Sequence, residues 1–238
     1  MTEFNRTLVV GDGGLASILA CAAAADASLL AEPDAGQRQA IRPILWVPAW
    51  AGHTAPARRW AVQRQAEFFE MELVEAPEKA IPSGDVDPSA QEVRHDWSAD
   101  SRMLVSASWA GIERGCTRLV WPFHSSHAQC PDIDEVSRAV DRALLVSRLV
   151  RLDAHHHGID SFRIDVPMVD FSDRQIADLV IDMDLPVRLC WWWRAEMARP
   201  GTPDFRREHE RWTPILKGVG WNEGVGAPAP AQSRHGAG

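Results

Sequence analysis

The stretch from residue 7 to residue 25 constrains the chain more than any other. Thr7-Leu8-Val9-Val10 is an apolar run with β-branched residues, Gly11-Asp12-Gly13-Gly14 breaks any regular element, and residues 15–25 are rich in strong helix formers. A strand, a tight glycine turn and a helix in that order read as one βα unit. The order then recurs. Ile44–Val47 reads as a second buried strand, residues 57–69 as a helix, and Glu72–Glu75 as a third strand. Repeated βα units imply a parallel sheet flanked by helices, with right-handed crossovers.

Residues 76–100 are dense in Pro, Gly, Ser and Asp and read as a long excursion with room for a short strand near Val93. The spacing predicts a helix over 103–114, with Leu104, Ala107, Gly111 and Ile112 facing inward and Gly115 as its C-cap. A fourth strand at 119–121 leads into a loop, 122–133, that carries His124, His127 and Cys130. Residues 134–149 have the clearest helical period, with Val136, Ala139, Val140, Ala143 and Leu144 on the apolar side. A fifth strand is expected at 162–166. Ser172 and Gln175 then form a capping-box pattern ahead of Ile176, Leu179, Val180 and Met183. Thr202-Pro203 suits the start of a final helix that ends near Lys217, with Gly218 as its stop. The chain therefore reads as a single domain over residues 1–221 and a Gly-, Ala- and Pro-rich disordered tail over 222–238.

Composition narrows the partners. At 238 residues, 45% apolar and 24% charged, the chain can bury a full core. Its net charge of −8 argues against a dedicated nucleic-acid binder, which needs clustered cations to release counterions. A small molecule or nucleotide is the expected ligand, and a homo-oligomer is compatible with the composition. Lys79 and Lys217 are the lysines, so arginine carries the positive charge. Cys21, Cys116, Cys130 and Cys190 are too dispersed for a disulfide framework or a Cys-x-x-Cys metal site, which fits reduced thiols in the cytoplasm. No basic segment precedes the apolar residues 15–25, so they do not read as a signal peptide, and no run approaches the ~20 apolar residues that span a bilayer.

Several local patterns invite chemistry. His124 and His127 follow the fourth strand, at the sheet edge where α/β proteins place their sites, and Asp132 and Asp134 are near enough in sequence to join them in acid–base work or metal binding. A surface loop is the competing reading. Adjacent residues diverge on a helix or strand, so His155-His156-His157 reads as a solvated loop before Gly158 rather than a metal site. Arg58 and Arg59 open a predicted helix where they could meet phosphates or simply face solvent. No Gly-x-Ser-x-Gly elbow is present.

Taken in order, these segments resemble the 7-cyano-7-deazaguanine synthases of queuosine biosynthesis, members of the PP-loop ATP-pyrophosphatase superfamily with a Rossmann-like fold. The family's Ser-Gly-Gly-x-Asp-Ser loop matches Asp12-Gly13-Gly14-Leu15-Ala16-Ser17, where glycine amides and a helix N-terminus would surround a phosphate. Strand 119–121 with Cys130-Pro131-Asp132, the segment Ile164-Asp165-Val166-Pro167 through Ser172, the turn Met183-Asp184-Leu185-Pro186 and Leu189-Cys190-Trp191 match later pieces in the same order. The resemblance implies binding of ATP and magnesium, adenylation of a carboxylate on a deazapurine-like substrate, and displacement of AMP by ammonia. It assigns Asp12 to Ser17 to the nucleotide; the sheet-edge position of His124, His127 and Asp132 and the indole of Trp191 make these four the candidates for a substrate cleft, and no catalytic residue is assigned. A binding protein without catalysis, taking a nucleotide or a protein partner, is the alternative.

Two loop positions depart from the family: Asp12 replaces a serine, and Ala16 replaces the aspartate beside the pyrophosphate and its magnesium. The family's four zinc-binding cysteines are missing as well, since no cysteine follows Trp191. Trp191, Trp192, Trp193, Trp212 and Trp221 could pack this C-terminal helical segment without a metal, and some of them could line a pocket for a planar heterocycle. The purified protein is expected to hold no stoichiometric zinc. Elemental analysis after mild chelation checks this, and about one zinc per chain would contradict it.

Overall fold

A computed structural model describes residues 6–30, 42–77, 97–125, 131–159, 161–193 and 203–222. The elements run β1 Arg6–Val10, α1 Leu15–Leu30, β2 Ile44–Val47, α2 Ala55–Phe68, β3 Glu72–Glu75, α3 Trp97–Ile112, β4 Cys116–Val120, α4 Ile133–Ala154, β5 Arg163–Asp165, α5 Asp173–Asp182 and α6 Pro203–Gly218. The strands form one sheet in the order β3-β2-β1-β4-β5, and every neighbouring pair is parallel. This is the Rossmann-like α/β sheet expected from the repeated βα units. None of the described helices is long and apolar enough to cross a membrane. The proposed tail falls mostly outside the described residues, as do the excursion near Val93 and Thr202.

Strand alternation divides the core. Leu8, Val10, Ile44, Trp46 and Leu119 face α3 and α4 on one side; Val9, Leu45, Val47 and Val120 face α1, α2, α5 and α6 on the other. The central strand β2 and the stretch of β1 from Leu8 to Val10 are consequently apolar, as burial on both faces requires. At the edge, β3 keeps Glu72 and Glu75, and Glu72 pairs with Arg6.

Helix α5 begins with the reciprocal capping box: the Gln175 amide donates to Ser172 Oγ, and the Ser172 amide donates to Gln175 Oε1. Helix α4 runs longer than its sequence period suggested, because Val150 and Ala154 continue its buried stripe and no breaker intervenes before Gly158. Its inward face also differs from expectation. Ala139, Ala143, Val146, Val150 and Ala154 are buried, whereas Val140 and Leu144 are about half exposed. Small residues let α4 sit close, which turns the bulkier ones outward. Ser147 fastens it there: Ser147 Oγ donates to the Ala143 carbonyl at 2.7 Å and accepts from the buried Ile164 amide at 2.9 Å.

Ser147→Ala removes the acceptor for a buried β5 amide, an arrangement that typically costs about 1–3 kcal/mol. Urea denaturation of this variant is expected to show that loss with an unchanged slope; an unaltered midpoint would mean that the serine bonds contribute nothing net.

Candidate functional site

The strand order reverses between β1 and β4, and in open parallel sheets the crevice at such a switch point, beyond the carboxyl ends of the strands, receives ligands. Two loops meet there, 11–14 after β1 and 121–125 after β4. Each turn of the first is forced by glycine. A Cβ on Gly11 would lie 2.7 Å from Val62 Cγ1, and Gly13 has φ +77° with the Arg58 carbonyl 3.2 Å from where its Cβ would be. The Gly11 amide donates to the Trp46 carbonyl at 2.8 Å, so the chain leaves β1 in register with β2.

Asp12 then folds back. Its Oδ1 accepts from the Gly14 amide at 2.7 Å, so a carboxylate of the chain itself takes one of the donors expected for a phosphate. The loop is also tied to the far end of the sequence, because the Trp191 amide donates to the Gly13 carbonyl at 2.9 Å. Leu15 and Ala16 line the crevice, with little surface exposed. Ser17 turns away from it: fully buried, its hydroxyl donates to Gln65 Oε1 at 2.9 Å, and Gln65 Nε2 donates to the Leu189 carbonyl at 3.3 Å.

The crevice has a volume of about 510 Å³, within the ~300–1,000 Å³ of small-molecule sites. Six aromatic rings stand in its walls, those of Trp50, Trp121, Phe123, Trp191, Trp192 and Trp212, beside polar and charged groups. Trp191 carries the Arg58 guanidinium 4.6 Å above its ring centroid, a cation–π contact at the crevice wall. The buried indoles of Trp191, Trp192 and Trp212 therefore serve the core and the crevice together. Trp193 and Trp221 pack edge to face at 4.8 Å beyond them.

Opposite the glycine loop lies a network that the sequence did not disclose. Asp173 is 1% exposed and receives a two-pronged contact from Arg211, Nε to Oδ2 at 2.7 Å and Nη2 to Oδ1 at 2.5 Å. His124 Nε2 stands 3.3 Å from both Asp173 Oδ1 and Arg211 Nη2. It donates to the carboxylate when it carries a proton and accepts from the guanidinium when it does not. Arg211 also lies 4.8 Å over the Trp212 ring, and the Trp212 indole N–H donates to Glu208 at 3.0 Å. Burial alone would push the Asp173 carboxyl up, but the hydrogen bonds from His124 and Arg211 and the charge of Arg211 outweigh it and hold it at about 2. Arg211 is raised in turn, since its contacts with Asp173 and Glu208 overcome its burial.

Of the residues that the sequence suggested for this cleft, His124 and Trp191 line it. Asp132 does not join them in the described structure; it is exposed and caps α4, accepting from the Asp134 amide at 2.9 Å. His127 lies outside the described residues, as does Cys130. His155–His157 form an exposed 3-10 turn closed by Gly158, φ +72°. Burial pushes the Cys21 and Cys190 thiols well up and Cys116 up to about 12, so these three stay protonated at neutral pH and are poor nucleophiles. Asp173, Arg211 and Glu208 were missed because Asp173 reads only as the first turn after a capping serine, while Arg211 and Glu208 sit in a charged run typical of a solvated helix face. Among the described residues, no cluster of His, Cys, Asp and Glu is arranged to hold a metal.

No family model matches the chain, and no curated protein does. Among solved structures, the U34-tRNA thiolase NcsA from Methanococcus maripaludis with its 4Fe-4S cluster matches over 92% of this chain and 72% of that chain, at 14% identity and a TM-score of 0.45.

Asp173 has a folded pKa below its unfolded value, so its contribution is complete above pH ~4 and is lost as the pH falls through about 2. Asp173→Asn is expected to destabilise the protein by on the order of 2 kcal/mol at neutral pH. That deficit should shrink as the pH is lowered from about 4 through 2, as wild-type Asp173 takes up its own proton. Chemical denaturation across this range checks both statements. A deficit independent of pH would contradict the ion-pair account.

Proposed function

We propose that the chain is a diverged relative of the 7-cyano-7-deazaguanine synthases within the PP-loop superfamily, and that its switch-point crevice binds a purine-like heterocycle or its nucleotide. The observation that carries this reading is the meeting of the glycine loop with a wall of indoles in one crevice of suitable size. Flat aromatic walls suit stacking on a planar ring, and the neighbouring polar groups of His124, Glu208 and Arg211 suit recognition of its edge.

Magnesium triphosphate fits this crevice poorly. Among the described residues three carboxylates line it, Asp12, Asp100 and Glu208, against two guanidiniums, Arg58 and Arg211, and Arg211 is already engaged by Asp173. Asp12 holds the Gly14 amide, and Ala16 offers no oxygen for a hard cation. A carboxylate within a few ångströms of a phosphate costs on the order of 1–4 kcal/mol at the effective dielectric of a protein surface. The ancestral reaction, ATP-dependent adenylation and amidation of a deazapurine-like carboxylate, is therefore not assigned residue by residue. The second reading, ligand binding without catalysis, is favoured by that same contact from Asp12 to the Gly14 amide.

Calorimetric titration separates the readings. AMP or the free nucleoside is expected to bind measurably, and Mg-ATP weakly, without pyrophosphate release. Asp12→Ser combined with Ala16→Asp is expected to strengthen Mg-ATP binding about tenfold or more, the equivalent of removing ~1.4 kcal/mol of repulsion. Tight Mg-ATP binding with pyrophosphate release by the unmodified protein would establish the catalytic reading. Silence towards every nucleotide and nucleoside would remove the ligand-binding reading altogether.

A further inference from the structure

Helix α4 turns its small residues to the sheet and leaves an apolar outer face: Leu145 is 62% exposed, Leu149 54% and Leu152 69%, with Leu144 and Val140 beside them. Several exposed leucines on one helix mark a contact surface rather than scattered surface residues. The charges on this face identify what covers it. Asp141, Leu145, Arg148 and Leu152 follow the i, i+4, i+7, i+11 rhythm of a single stripe, flanked by Leu144 and Leu149. Asp141 and Arg148 are both exposed, and neither has an ion-pair partner among the described residues. They stand equally far to either side of the point between Leu144 and Leu145.

We infer that α4 pairs antiparallel with α4 of a second copy of this chain, about a two-fold axis passing between Leu144 and Leu145. In such an isologous contact, residues equally distant from the axis meet. Leu144 packs on the partner's Leu145, Val140 on the partner's Leu149, and Asp141 pairs with the partner's Arg148, with each contact made twice. Arg151 falls opposite the partner's Arg138, a like-charge meeting softened by the partner's Asp134, which in one chain lies 4.0 Å from Arg138. The apolar contacts span about 18 Å of helix from Val140 to Leu152. A parallel arrangement would instead set Asp141 against Asp141 and Arg148 against Arg148, so the charge order selects the antiparallel pair.

Sedimentation velocity on the full chain over about 1–100 µM, the range suited to a small interface, is expected to show a reversible monomer–dimer equilibrium. Leu145→Glu should give monomer throughout, with an unchanged circular dichroism spectrum because the side chain is exposed. Asp141→Arg alone and Arg148→Asp alone should each weaken the dimer by about tenfold, since two attractions become two repulsions. Both changes together should restore it, because the reversed pair is again complementary. A monomer at every concentration would overturn the proposal. A dimer that survives Leu145→Glu, or a double reversal that fails to recover association, would overturn it too.

Discussion

A backbone hydrogen bond ties the loop after β1 to the aromatic segment before α6: the Trp191 amide donates to the carbonyl of Gly13. Gly13 ends the turn that β1 forces on the chain, and Trp191 opens the aromatic segment that precedes α6. Because the central strand is buried on both faces, its loop has little freedom, and whatever bonds to that loop is placed as firmly as the core. The crevice is the space left between this clasp and the loop after β4. Its indoles are oriented by core packing, so a ligand would meet a wall already arranged for it.

The electrostatics of the crevice follow from where charge is spent internally. The Asp12 carboxylate satisfies the Gly14 amide, and Asp173 satisfies Arg211, so both anion-seeking groups have intramolecular partners. Such contacts rigidify a site and also compete with an incoming phosphate. Arg58 is different: it rests on the face of Trp191, and no carboxylate pairs with it among the described residues. It is the cation best placed to meet a single negative charge on a stacked ligand. A nucleobase or nucleotide with little charge suits these walls better than a triphosphate with its metal.

Much of this was legible in the sequence, and the rest was hidden for physical reasons. The strand–glycine–helix unit, the β-branched strands and the Ser172–Gln175 cap are local, and local rules place them within a few residues of where they occur. The glycine loop and Trp191 could be named from sequence because motif order survives without knowledge of packing. Asp173 and Arg211 are 38 positions apart and meet only through tertiary packing, so no spacing announces them. Asp132 misled for the opposite reason: its nearness to His124 in sequence promised a shared site, but a helix cap held it at the surface. The inward face of α4 was misread because periodicity identifies an apolar side without weighing how closely alanine lets a helix approach.

The most direct test of the account is the position of a bound ligand. Crystals of the protein soaked in AMP should show the base against the indoles of Trp191 and Trp212, with its single phosphate near Arg58 and outside the amides that Asp12 occupies. Density at any other surface, or phosphate seated in the glycine loop with Asp12 displaced, would contradict it.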